Sequence, residues 1–176
     1  MSEVQSVNAV TAPATVESLT KQFEGLGVRG DVVILHASLS ALGWVCGGPV
    51  AVLQALLAAL GPEGTLVMPA FSSDLSDPRH WGNPPVPQSW WQTIRDSMPA
   101  FDPALTPSRG VGRVAETFRS WPGVRRSEHP CSSFAARGPA ATPLTQDHGL
   151  AHPLGERSPL ARLYELDAWV LLLGVG

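Results

Sequence analysis

The sequence predicts an α/β fold: a mainly parallel central sheet flanked by helices in three layers, broken by a long Pro/Trp-rich loop excursion. Three observations predict it. Near-continuous apolar runs at 32–35 and 65–71 have the two-faced hydrophobicity of buried parallel strands. An apolar helical stretch, GPVAVLQALLAALG, lies between them and makes a βαβ unit with a right-handed crossover. A last apolar run, AWVLLLGVG, follows a second well-capped helix. The domain reading is a flexible N-terminus over 1–14 and one α/β domain over 15–176.

The elements follow in order. Residues 1–14 lack apolar periodicity and are expected to be flexible. TVESLTKQFEGLG reads as a helix, with Thr15 as N-cap, Leu19, Phe23 and Leu26 on one face, and Gly27 as the stop. The strand DVVILH ends at His36. Small and hydroxylated residues follow, and then Gly47-Gly48-Pro49 opens the next helix, with Pro49 in its first turn and Gly61 at its end. TLVMPAF is the second buried strand.

Residues 72–107 hold seven prolines, three tryptophans and few aliphatics. Loops of this length are functional or disordered, and the tryptophans argue against disorder. SRGVGRVAETFRSWPG is then helical with Ser108 capping, and SSFAARG is a third strand. SPLARLYELD is a helix with Ser158 at N-cap and Pro159 at N1. AWVLLLGVG closes the sheet as a buried strand. Open α/β sheets hold their ligands at this end of a strand. The expectation is therefore that the 176 residues are part of a larger protein or a truncated product.

Twelve Lys and Arg against fifteen Asp and Glu give a net charge of -3, so no basic field recruits nucleic acid. No apolar stretch nears the roughly 18 residues of a membrane span. The polar N-terminus shows no signal peptide, and the expected location is cytoplasmic. Cys46 and Cys131 lack C-x-x-C spacing and read as reduced thiols.

Several residues invite chemistry. Residues 38–43 lie past a strand end and before a helix start. They form either a cradle for phosphate or pantetheine or an ordinary βα connection. They match neither G-x-G-x-x-G nor the Walker loop. TPSRGVGR, 106–113, repeats the idea, with Arg109 and Arg113 suited to phosphate. His129 precedes Pro130 and reads as a general base or as a structural turn histidine. His148 and His152 are four apart, but Gly and Pro around them rule against a helix and hence against zinc. Asp74 and Asp77 are either solvated charges or, beside aromatics, a grip for a polycation. Ser72 has no G-x-S-x-G around it.

Three stretches carry a resemblance: LHASLSALGWVCGGPVAVLQALLAALGPEGTLVMPAFS, TPSRGVGRVAETFRSWPGVRRSEHPCSSFAARG and HPLGERSPLARLYELDAWVLLLGVG. Together, over about 15–176, the chain resembles the aminoglycoside 3-N-acetyltransferases, the non-GNAT antibiotic N-acetyltransferases. The resemblance implies an acetyltransferase domain that moves acetyl from acetyl-CoA to the 3-amine of a 2-deoxystreptamine aminoglycoside, giving antibiotic resistance, with no metal. It implies that Ser38, Leu39 and Ser40 lie along CoA, together with Phe71 and Ser72. Thr106, Pro107, Ser108, Val111 and Gly112 line the same co-substrate. Asp74, Asp77 and Trp81, with His148 and His152, would face the aminoglycoside.

His129 is the in-chain candidate for proton handling. Family members continue with Asn-Thr-x-x-His, so the principal general base is expected beyond Gly176. The partners implied are an aminoglycoside antibiotic and CoA, with no nucleic acid, no membrane, and a homodimer left open. The rival readings are a CoA-dependent N-acetyltransferase of another amine and a CoA-binding fragment without turnover.

Overall fold

In chain order the strands are β1 (Val32–Ala37), β2 (Thr65–Pro69), β3 (Arg125–Arg126), β4 (Phe134–Arg137) and β5 (Trp169–Leu173). The helices are α1 (Glu3–Asn8), α2 (Val16–Gly25), α3 (Gly48–Leu60), α4 (Trp91–Ser97), α5 (Gly112–Arg119), α6 (Ala141–Thr145) and α7 (Pro159–Glu165). The computed structural model describes residues 3–175. Met1, Ser2 and Gly176, which belong to the expected flexible N-terminus and the expected last strand, lie outside the described residues.

The strands form one sheet in the order β3-β4-β2-β1-β5. β1 pairs in parallel with β2, Val33 opposite Leu66, and with β5, Leu35 opposite Leu171. β4 runs antiparallel to β2, Met68 opposite Ala135, and antiparallel to β3. The mainly parallel expectation therefore describes β2-β1-β5, and the sheet as a whole is mixed. The reason is chain length. A parallel return needs a crossover of about a dozen residues or more, and the link 127–133 between β3 and β4 is shorter.

Side chains alternate across the sheet and feed two apolar clusters. Val33 and Leu35 meet Leu19 and Phe23 of α2, Val52 and Leu56 of α3, and Phe118 of α5. Ile34 and Val67 join Phe134, Leu144 of α6 and Leu163 of α7. Phe118 is fully buried, and one such side chain contributes about 1.5–3 kcal/mol relative to an exposed one.

α2 begins where expected. The Thr15 hydroxyl accepts the Ser18 N–H at 3.2 Å, and the Ser18 hydroxyl accepts the Thr15 N–H at 2.9 Å. Leu26, placed by sequence on the buried face, is 61% exposed. The helix stops at Gly25, Gly27 turns the chain at φ 82°, and Val28 takes the inward place. α7 has Ser158 at its N-cap, accepting the Leu160 N–H at 3.2 Å. Ser108 does not cap α5, which starts four residues later at Gly112.

The segment 1–14, expected to be flexible, contains α1 and packs on the 3-10 turn Leu39–Leu42, with Ser6 buried. Six helical residues are too few to leave a readable period. The excursion 72–107 folds into three short 3-10 turns and α4.

β5 was expected to be buried. Instead Trp169, Val170 and Leu172 are 60%, 63% and 55% exposed. Among the described residues β5 has a strand on one side only. Leu171 and Leu173 still pack partly on the larger cluster.

Candidate functional site

Parallel strands deliver their C-terminal ends to one edge of the sheet, and loops that leave those ends build sites. Here a cleft of about 1270 Å³ opens beside the ends of β1 and β2. Leu35, His36 and Ala37 of β1, Pro69 of β2, and Val170 and Leu172 of β5 form its floor. Ser38, Leu39 and Ser40 form one wall, continued by Gly43, Trp44 and Val45. Phe71 and Gly110–Arg113 form the other.

Two helix starts face this space: Gly47 and Gly48 at α3, and Val111 and Gly112 at α5. Helix N-termini present unpaired N–H groups and positive partial charge. Among the described residues the lining contains no Asp or Glu, and it includes Arg113 and His36. The rest is largely apolar. Such a cleft suits a ligand with an anionic end and a slender, neutral chain. Gly112 sits at φ 84°, where a side chain is strained, and a Cβ there would lie 3.4 Å from the Ala37 carbonyl oxygen. It is the positive φ, more than lack of space, that favours glycine there.

The residues expected along a co-substrate divide by position. Ser38, Leu39, Ser40, Phe71, Val111 and Gly112 line the cleft. Ser72, Thr106 and Ser108 are absent from the lining among the described residues. Ser72 is buried, and its hydroxyl accepts from Arg126 Nη2 at 2.6 Å. Thr106 Oγ1 accepts the Asp102 N–H at 2.9 Å. Ser108 gives both its N–H (2.8 Å) and its O–H (2.5 Å) to Glu116, and it lies three residues before Val111, the N-cap position of α5. Pro107 lies between them and is absent from the lining among the described residues.

Glu116 also accepts from Arg119 at 2.7 Å. Burial pushes its pKa up, but the hydrogen bonds from Arg119 and Ser108 outweigh this and bring it to about 2.

The acidic excursion is tied inward. Asp74 pairs with Arg109, whose own N–H bonds the Phe71 carbonyl at 2.7 Å. Asp77 caps the turn at Pro78–His80 through the Arg79 N–H and pairs with Arg95 at 2.9 Å. The Trp81 indole N–H donates to Ser76 Oγ at 2.9 Å.

His148 and His152 separate. His152 is exposed, whereas His148 is buried and does not face solvent. The Ser127 hydroxyl accepts the Phe134 N–H at 2.9 Å, and because the Pro153 carbonyl can only accept, the neutral His148 ring carries its proton on Nε2 and takes the Ser127 O–H at Nδ1, also at 2.9 Å. His148 Nε2–H then donates to the Pro153 carbonyl at 3.0 Å. Burial holds its pKa below the usual imidazole value, against the opposing pull of that carbonyl.

His129 stacks on His148 with ring centroids 4.8 Å apart. His129 Nδ1 accepts the N–H groups of Cys131 (3.1 Å) and Ser132 (3.0 Å), which fixes the turn after Pro130. Its Nε2 is buried and has no hydrogen-bond partner among the described residues. The ring thus holds a turn, one of the two readings its sequence position allowed.

Sequence reasoning missed Arg126. It sits on β3, half-buried, and donates to Ser133 Oγ at 2.9 Å and to the Ala70 carbonyl at 2.6 Å. It also donates to Ser72 and to the carbonyls of Pro103 and Thr106. Burial pulls its pKa down to about 10, so the guanidinium stays charged near neutrality. No local pattern marks it, because its acceptors come from three separate segments.

Known proteins bear on this geometry. The family model described as aminoglycoside 3-N-acetyltransferase matches residues 34–176. The SPbeta prophage-derived aminoglycoside N(3')-acetyltransferase-like protein YokD of Bacillus subtilis is 50% identical over 170 residues, covering 96% of this chain and 62% of that protein. Its crystal structure superposes with a TM-score of 0.95 at 49% identity, over 98% of this chain and 64% of that one.

Aminoglycoside N(3)-acetyltransferase VIII of Streptomyces fradiae is 42% identical over 178 residues, 99% of this chain and 60% of that protein. Two further solved structures are AAC-IIIb as a binary complex with CoASH and AAC-VIa bound to sisomicin. The first has a TM-score of 0.77 at 35% identity, over 92% of this chain and 59% of that one. The second has a TM-score of 0.82 at 37% identity, over 94% and 61%. The chain spans about three-fifths of the length of the relatives it matches. With a family model matched across most of its length and the sheet superposing on solved members, this chain belongs to the aminoglycoside 3-N-acetyltransferase family.

Proposed function

We propose that the cleft holds acetyl-CoA and that the whole protein transfers its acetyl group to the 3-amine of a 2-deoxystreptamine aminoglycoside. One observation carries the reading. An acid-free cleft at the ends of β1 and β2 receives two helix N-termini and the small loop Ser38–Ser40. The phosphate end of CoA suits the helix starts and Arg113. The pantetheine suits the apolar floor. Relatives solved with CoASH and with sisomicin support both ligands.

The amine must lose a proton to attack the thioester carbonyl. The C–N bond forms, the C–S bond breaks, and CoA leaves as its thiol. The family resemblance puts the proton acceptor on a histidine of the whole protein, and His129, buried with Nδ1 holding a turn and Nε2 without a partner among the described residues, is the in-chain alternative. Backbone N–H groups of the walls are proposed to steady the developing oxyanion. The Ser38, Ser108 and Arg109 N–H groups already bond Leu173, Glu116 and Phe71. The proposal therefore narrows to Leu39, Ser40 and Gly110–Gly112.

The acidic excursion around Asp74, Asp77 and Trp81 is proposed to receive the cationic antibiotic, and the reaction is placed in the cytoplasm, where acetyl-CoA is available. The architecture is read as one three-layer domain over 15–176, supported by apolar clusters on alternate residues of β1. Whether two copies pair is read from the solution mass. The test is thiol release from acetyl-CoA across a panel of amines, with calorimetry of CoA. Turnover confined to aminoglycosides with a free 3-amine is expected. CoA binding with transfer only to other amines overturns the acceptor, and absence of CoA binding overturns the cleft.

A further inference from the structure

We propose that Arg126 is a positioning residue of the CoA cleft: its guanidinium locks the Phe71 wall and the 106–112 wall in register. The proposal rests on the CoA reading of the cleft. A guanidinium carries five N–H groups in a planar fork. All five find acceptors here, and none of these is a carboxylate. They are Ala70 O and Ser72 Oγ around Phe71, Pro103 O and Thr106 O before the second wall, and Ser133 Oγ at the start of β4. The Phe101 ring covers the guanidinium at 4.9 Å.

The geometry reaches the cleft from both sides. Ala70 and Ser72 are also held from the link that precedes β4, Ala70 N–H to Ser133 O at 2.8 Å and Ser72 N–H to Cys131 O at 3.0 Å. Phe71 between them has its carbonyl engaged by Arg109 and its ring set edge-on against Phe134, 5.5 Å away. Thr106 leads through Ser108, which Glu116 holds, to the lining residues Gly110–Arg113.

The guanidinium is half-buried with the Glu116 carboxylate in its field and makes no ion pair among the described residues, so five neutral acceptors rather than a charge partner set its place. The arrangement is therefore read as one that fixes relative position. Lysine keeps the charge but has three donors on one nitrogen and no fork.

The test compares Arg126→Lys with Arg162→Lys in the full chain by CoA calorimetry at 10 °C, after circular dichroism confirms folding. Arg162 likewise donates to backbone carbonyls, those of Leu144, Gln146 and Asp147, away from the cleft lining. Both variants are expected to melt lower. Only Arg126→Lys is expected to weaken CoA, by tenfold or more, with Arg162→Lys within twofold of wild type. A folded Arg126→Lys that binds within twofold overturns the proposal, and so does equal weakening in both variants.

If Arg126→Lys does not fold, Ser72→Ala removes one acceptor. A loss of threefold or more then supports the lock, and an unchanged Kd overturns it. A wild-type protein that binds no CoA defeats the CoA reading instead. Hydrogen exchange then decides the lock, with faster exchange at 108–113 in Arg126→Lys supporting it and unchanged exchange overturning it.

Discussion

Glu116→Gln isolates the contact that ties the loop before α5 to the helix itself. The carboxylate accepts the Ser108 N–H and O–H and the Arg119 guanidinium. A glutamine keeps the shape but offers one acceptor oxygen and turns an amide N–H toward a donor. The fall of the Glu116 pKa from 4.5 to about 2 corresponds to ~3.4 kcal/mol if taken at face value. The side chain is 39% exposed, and solvent screening reduces that to roughly 1–2 kcal/mol.

For a chain of this length each kcal/mol lowers Tm by about 2–4 °C. The variant is therefore expected to melt about 2–8 °C below wild type at pH 7. The pH course is sharper than the magnitude. The folded pKa lies below the unfolded one, so the unfolded state binds the extra proton between them. The contribution is fully present above pH 4.5 and is lost as pH falls toward 2. Thermal melts by circular dichroism should show a constant gap between the proteins from pH 8 to about 5, closing below 4.5. A gap that stays constant down to pH 3, or no gap at pH 7, refutes the reasoning.

Two further outcomes follow from the structure. His148 is held neutral, with its folded pKa pushed below the ordinary imidazole value of 6.5 by burial, beside His129 and within the field of Arg162. Stability should be complete above pH 6.5 and fall as pH drops through the lowered folded value. Urea unfolding of His148→Gln should show a flatter dependence between pH 7.5 and 5, and matching slopes count against the assignment. Gly138 sits at φ 131°, and a Cβ there would run into the Gly64 carbonyl and lie 2.6 Å from Thr65 Cα. Gly138→Ala is expected to cost about 3 kcal/mol or more, and a melt within 2 °C of wild type, about 1 kcal/mol, sinks that reading.

Much of the fold was legible because its signals are local. The apolar runs of β1 and β2, the Thr15 and Ser158 caps, and the stop at Gly61 each depend on neighbours in sequence. The small loop at 38–43 and the glycines at 110–112 left a ligand cradle and an ordinary connection both open, and only the family resemblance favoured the first. The direction of β4 and the exposure of β5 were not legible, because hydrophobicity does not say which strands pair or what covers them. Ser108 is the instructive miss. It has the right residue type for a cap, but the helix starts four residues later at Gly112, and a carboxylate eight positions away takes the serine's two donors instead.

By itself the sequence determined α2, α3, α7 and the strands β1, β2, β4 and β5, the family, and the small-residue loops after β1 and before α5. Tertiary structure decided which of those residues face the cleft and which do not. It buried His129 and His148 against each other and turned Arg126 into a five-fold hydrogen-bond donor across three segments. The physical reason is that caps and periodicities act over a few residues. Burial of a polar side chain is decided by acceptors that only the folded backbone brings within about 3 Å.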